Sequence, residues 1–247
     1  MSFDHTGKAV LVTGGGSGVG LGIVRAFASC GAQVTVADLN MEEARKAELL
    51  QIPGVVRAVK LDVSDPDEVF RVFNGLDRID VLVNNAGIYP ACGFFELTPR
   101  DWQRMIDIDL NSVFYCTQAA ARKMRGSGKG GAIINITTID HDHPSNGHAH
   151  YCAAKAGVWS LTLASAAELG AYGIRVNAVA PGLVDRPGLE TSWPDGYRRF
   201  TEKAPVRRVP EAADIAGACL FLAGDEARCI SGIELPVDSG ILAAAPY

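Results

Sequence analysis

At 247 residues the chain has room for one large domain or two small ones, and its balance of 48% hydrophobic to 21% charged residues excludes the highly charged, apolar-poor profile of a disordered chain. The net charge of −5 comes with no basic block, and the Arg pairs at 198–199 and 207–208 are too short for a phosphate track. Nucleic acid is therefore not expected as a partner.

Short β-branched runs alternate with helical patterns along the whole chain. Strands are expected at Ala9–Val12, Gln33–Ala37, Val55–Lys60, Ile79–Val83, Ala132–Ile136 and Ile174–Val179, and helices near 18–30, 41–51, 65–75, 99–125, 151–170 and 211–223. The strand runs are apolar throughout rather than alternating, as strands buried on both faces of a parallel sheet must be. The expected fold is α/β, a single Rossmann-like doubly wound parallel sheet flanked by helices on both faces. Gly126–Gly131 is a turn rather than a linker, because the alternation resumes after it. Residues 1–247 are thus expected to form one domain. Residues 182–205 interrupt the rhythm with Pro187, Pro194, Pro205, Trp193 and Tyr197, which predicts an insertion covering a substrate.

The first strand runs into Thr13-Gly14-Gly15-Gly16-Ser17-Gly18-Val19-Gly20 and then into an apolar-periodic helix. Glycines let the backbone approach a pyrophosphate, and a helix start offers free N–H groups at the positive end of its dipole. Gly14, Ser17, Gly18, Val19 and Gly20 are the candidates for that contact. Asp38, followed by Leu39, ends the second strand about twenty residues on, where a carboxylate accepts the adenosine ribose hydroxyls and repels a 2′-phosphate. No Lys or Arg stands in the glycine loop or beside Asp38, so the expected cofactor is NAD rather than NADP.

With Leu61-Asp62-Val63, Asn84-Asn85-Ala86-Gly87, Tyr151-(x)3-Lys155, Pro181-Gly182 and the ending Phe221-Leu222-Ala223-Gly224 through Val237-Asp238-Ser239-Gly240, the chain resembles the short-chain dehydrogenase/reductase family over nearly its full length. The resemblance implies that Asp62 and Val63 flank the adenine and that Asn85, Ala86 and Gly87 line the cofactor. It also implies that Val184, after Pro181, meets the nicotinamide carboxamide by its backbone.

Tyr151 and Lys155, spaced i, i+4, share one helix face. Tyrosine alone is a poor base at neutral pH, whereas an adjacent ammonium stabilises its phenolate and lowers its pKa, which makes the pair a proton-exchange device. The expected activity is hydride transfer between NAD(H) and an alcohol or carbonyl substrate such as a polyol, a sugar or a ring-bearing alcohol. The alternative is an NAD-binding regulatory or scaffold protein with impaired turnover.

Three departures from the family pattern stand out. Its substrate-binding serine is replaced by Thr138, with Thr137 one residue away as an alternative. Its relay asparagine is replaced by Asp109, which either pairs with Lys155 or accepts the same water; Asn111 faces elsewhere on the helix. Arg186 replaces a threonine that commonly contacts the carboxamide, and faces either an anionic group or solvent.

His141, His143, His148 and His150 cluster between Thr138 and Tyr151 and suggest a polar substrate mouth. His141-Asp142-His143 has metal-ligand spacing, but no metal is expected. Trp193 and Tyr197 either cover a substrate or pack inward. The six scattered cysteines are expected to be buried reduced thiols. No apolar run nears the ~20 residues of a membrane helix, and the first residues lack a basic segment followed by an apolar core, so a cytoplasmic protein with no membrane partner is expected. The apolar helix at 151–170, with Val158, Leu161, Leu163 and Ala164, predicts a homodimer or homotetramer as the resemblance implies.

Overall fold

The computed structural model describes residues 3–49 and 53–244, so the two ends of the expected single domain lie outside the described residues. Strand β1 (Ala9–Thr13) enters the glycine loop and leads to α1 (Gly18–Ser29), β2 (Gln33–Asp38), α2 (Met41–Glu48), β3 (Val55–Lys60), α3 (Pro66–Gly75) and β4 (Val81–Asn84). The second half contains α4 (Pro99–Ile106), α5 (Ser112–Ser127), β5 (Gly131–Ile136), α6 (Ala149–Leu169), β6 (Ile174–Pro181), α7 (Leu189–Ser192), α8 (Pro194–Lys203), α9 (Ala212–Ala223) and β7 (Glu234–Val237).

Local chemistry accounts for several boundaries. Asn40 accepts the N–H groups of Glu42 and Glu43 at the start of α2, and Asp65 does the same for Asp67 and Glu68 ahead of Pro66. Thr98 and Asp101 form a reciprocal capping box at α4. Gly128, in the left-handed region at φ 67, ends α5 and turns the chain toward β5.

Among the described residues, seven strands pair in parallel in the order β3-β2-β1-β4-β5-β6-β7. The apolar strands are buried from both sides, with one core around Phe27, Ile23 and Ile215 and another around Phe73, Met124 and Leu82. Strand succession reverses between β1 and β4, and open parallel sheets hold their ligands at such a point, outside the strand C-termini.

The structure corrects the sequence reading in several places. The helix expected over 99–125 is interrupted by a π-helical segment at Asp107–Asn111, which rotates Asp109 inward. Strand β7, short and containing Pro236, was not anticipated. Helix α6 starts at Ala149, two residues earlier than expected. The helix expected over 41–51 ends at Glu48, and residues 50–51 lie outside the described residues. Val158 is fully buried within the protomer and cannot serve as an outer face, whereas Leu163 is exposed. The cysteines are free, but only Cys116, Cys152 and Cys219 are buried, and Cys229 is exposed. No helix among the described residues is long and apolar enough to cross a membrane.

Candidate active site

The glycine loop is shaped by contacts that a side chain would destroy. A Cβ on Gly20 would lie 2.1 Å from the Gly14 carbonyl oxygen, and one on Gly14 would lie 2.8 Å from the Ala86 Cα. Gly14 and Gly18 both have positive φ, at 62° and 51°, and the space beside Gly18 is open. Helix α1 starts there with no side-chain hydrogen bond from Ser17, so its N–H groups remain available. These features fit the pyrophosphate of a dinucleotide. Val19 packs against the core.

Two side chains join the loop to β4. Thr13 Oγ1 accepts the N–H groups of Asn85 and Ala86 at 3.0 and 3.1 Å, and Asn85 Nδ2 donates to the carbonyls of Thr13 and Gly14, both at 3.0 Å. Asp38 reaches from the end of β2, its Oδ2 accepting the Gly16 N–H at 2.9 Å, while Leu39 is exposed. At the end of β3, Asp62 accepts from Ser64, and Val63 is buried. Pro181 ends β6 and Val184 packs against the core.

The four catalytic candidates gather beside this crevice. Lys155 is buried on α6 with Nζ donating to the Ile136 carbonyl at 3.1 Å and lying 3.2 Å from Asp109 Oδ2. Asp109 is wholly buried, and its Oδ1 accepts the Ile88 N–H at 2.9 Å. Its Oδ2 has the ion pair but no directional hydrogen bond. A Cβ on Gly87 would lie 2.6 Å from that oxygen, so a glycine is needed for Asp109 to reach Lys155. Burial raises the Asp109 carboxyl above its ordinary range, and the attraction of Lys155 only partly offsets this. Asn111 instead donates to Asp107 at 2.8 Å.

Lys155 Nζ is 5.6 Å from the centre of the Tyr151 ring. The Tyr151 phenol is displaced upward by burial first and by the charge of Asp109 second, with a hydrogen bond from Thr138 opposing. The expected lowering by Lys155 is thus reversed, chiefly by burial of the phenol and further by the carboxylate beside the ammonium. Thr138 is buried at the end of β5, and its hydroxyl accepts the Asp140 N–H at 3.2 Å. Thr137 is turned away, donating to the Val179 carbonyl and to Glu234 at 3.1 and 2.5 Å. The Thr137 hydroxyl is thereby tied to β6 and β7.

The histidine cluster divides. His141 pairs through Nε2 with Glu234 at 2.9 Å, His143 is exposed, and His150 is buried with Nδ1 unpartnered. The rings of His148 and Tyr151 have their centres 6.4 Å apart. His141 and Asp142 share a potential metal-ligand cluster with Glu234, not with His143. The sequence reading missed Tyr89, whose ring edge meets Tyr151 at 4.6 Å; its place two residues beyond Gly87, on a loop at a strand C-terminus, was the available signal. It also missed Asp140 and Glu234. Arg186 is exposed and lines a groove of about 720 Å³ between α1, residues 185–191 and the start of α9, away from Tyr151. Trp193 is half exposed against Gly196.

A family model described as Enoyl-(Acyl carrier protein) reductase matches residues 14–242. Meso-2,3-butanediol dehydrogenase of Serratia marcescens is 36% identical, over 99% of this chain and 97% of its own length. D-threitol dehydrogenase of Mycolicibacterium smegmatis is 37% identical, over 96% and 94%. A solved short-chain type dehydrogenase/reductase from Mycobacterium ulcerans superposes with a TM-score of 0.90 at 28% identity, over 99% of this chain and 92% of that one. With the dinucleotide crevice and the Tyr-Lys pair beside it, the chain belongs to the short-chain dehydrogenase/reductase family and is an oxidoreductase of the kind that uses NAD(H) or NADP(H).

Proposed function

We propose that the protein is an NAD-preferring dehydrogenase of polyols or related small hydroxyl compounds, with Tyr151 as general acid/base. The observation that carries this reading is the convergence of Tyr151, Thr138 and Lys155 next to the glycine crevice. The glycine loop and Asp38 would hold a nicotinamide dinucleotide, which would supply the hydride acceptor or donor. Thr138 holds the substrate oxygen while Tyr151 takes or gives its proton. Lys155 offers the phenolate a nearby positive charge, and Asp109 moderates that charge. Asp38 holds the ribose hydroxyls and leaves no cationic partner for a 2′-phosphate, which favours NAD over NADP. Asp62, Val63, Asn85, Ala86, Gly87, Pro181 and Val184 line the rest of the cofactor site.

The substrate class follows the relatives, whose names specify a diol and a tetritol. Residues 182–205 cover the substrate, the working unit is a homodimer or homotetramer, and the protein acts in the cytoplasm. Assaying the purified protein with NAD+ and with NADP+ against polyols, sugars and cyclic alcohols, by absorbance of the reduced nicotinamide, tests the reading. The Asp109–Lys155 pair favours one rival, a dinucleotide-binding protein without turnover. Cofactor binding with no turnover on any alcohol would select that rival.

A further inference from the structure

Tyr89 is 52% exposed, yet its ring is held on several sides. One face stacks on His148, with centres 3.9 Å apart and planes 9° from parallel, and the ring meets Tyr151 at 81°. Its hydroxyl donates to Asp140 Oδ2 at 2.9 Å. A half-exposed aromatic fixed in this way forms a wall of the site and not a loose surface residue.

Asp140 is itself anchored. Its Oδ1 accepts from Ser145 at 3.2 Å, and its N–H donates to Thr138, the residue proposed to hold the reacting oxygen. The Nδ1 of His148 lies 3.1 Å from the Asn146 carbonyl, which only accepts, so Nδ1 carries the proton of that contact. The Cys92 N–H donates to the Gly147 carbonyl at 2.8 Å, joining the Tyr89 loop to the His148 loop.

We propose that Asp140 and Tyr89, backed by His148, form a subsite for a second substrate hydroxyl, on the carbon next to the one oxidised. The inference rests on the alcohol-dehydrogenase reading above and narrows its substrates to vicinal diols and polyols. The surface is rich in acceptors. Each carboxylate oxygen has a free lone pair beyond its present bond, and the Tyr89 oxygen, having given its hydrogen to Asp140, accepts from an incoming O–H. Such a set selects a donor. It offers nothing to an ether or ester, and its negative charge disfavours carboxylate or phosphate substrates.

The test compares kcat/KM for butane-2,3-diol and butan-2-ol with NAD+ in wild type, Tyr89→Phe and Asp140→Asn. Phenylalanine keeps the ring against His148 and Tyr151 and loses only the oxygen, while asparagine keeps the shape and loses the charge. Wild type is expected to prefer the diol, and each substitution to lower the diol-to-monoalcohol ratio about tenfold or more. NAD+ titration of both variants checks that they remain folded. If wild type oxidises both alcohols and neither variant moves the ratio, the subsite is wrong and the dehydrogenase reading survives. An equal loss on both substrates would reduce Tyr89 to a support for Tyr151 and likewise overturn the subsite. A folded wild-type protein that oxidises neither of these alcohols nor any polyol, sugar or cyclic alcohol would remove the dehydrogenase reading and the subsite together.

Discussion

Asp109 Oδ2 lies 3.2 Å from Lys155 Nζ, and both side chains are almost completely withdrawn from solvent. Burial, and after it the charge of Asp109, raises the Tyr151 phenol, so alcohol oxidation, which needs the phenolate, should rise with pH on the alkaline side. Asp109→Asn removes that charge, and the pH profile of kcat/KM for oxidation should shift to lower pH. An unmoved profile would take Asp109 out of the proton chemistry. Asp109→Ala leaves the ammonium buried with only the Ile136 carbonyl and should cost about 3–5 kcal/mol by denaturant unfolding.

Tyr151→Phe should reduce kcat by about 10²–10⁴ while NAD+ affinity by calorimetry stays nearly intact, because only the exchangeable proton is lost. Lys155→Ala should damage both turnover and cofactor affinity. Full activity in Tyr151→Phe would sink the assignment of the site.

The two threonines should separate cleanly. Thr138→Ser keeps the hydroxyl and should be tolerated, whereas Thr138→Val should lose about a hundredfold in kcat. Thr137→Val leaves Glu234 one partner short, so its effect should be on stability, about 1–3 kcal/mol by thermal or chemical unfolding, with kcat largely kept.

Wild type should bind NAD+ more tightly than NADP+, and Asp38→Ala combined with Leu39→Arg should relax or reverse that order. The carboxylate then no longer opposes a 2′-phosphate, and a guanidinium arrives beside it. Equal wild-type affinities by calorimetry would contradict the role given to Asp38.

Light scattering at micromolar concentration should give a dimer or tetramer mass. Leu163→Glu, on the exposed side of α6, should weaken the assembly, and a monomeric wild type would refute it.

What the sequence disclosed follows from the range of the forces involved. The strands, the glycine loop and the Tyr151–Lys155 pair depend on local spacing and were legible. The π turn that brings Asp109 inward leaves no mark in an apolar period, and β7 is too short to announce itself. Thr137 and Thr138 follow β5 directly, and only the distant contacts of Thr137 with Val179 and Glu234 tell them apart. His141 finds Glu234 93 residues away, and Tyr89 finds Asp140 51 residues away, separations at which no local pattern operates.

A polar ladder runs beneath the site. Asn84 Nδ2 donates to Asn135 Oδ1 at 2.8 Å and to Thr117 at 3.1 Å, and Asn135 Nδ2 donates to Thr162 on α6 at 2.8 Å. Asn84 and Asn135 are direct partners across β4 and β5. Sliding either strand by one residue would set an amide against Val83 or Ile134 and strand its hydrogen bonds in the core, so the ladder acts as an alignment key during folding. Because Ile136, whose carbonyl holds Lys155, follows Asn135 by one residue, this key also sets the height of the ammonium above the sheet. The position of Lys155 is thereby tied to the pairing of the two strands, independently of any ligand.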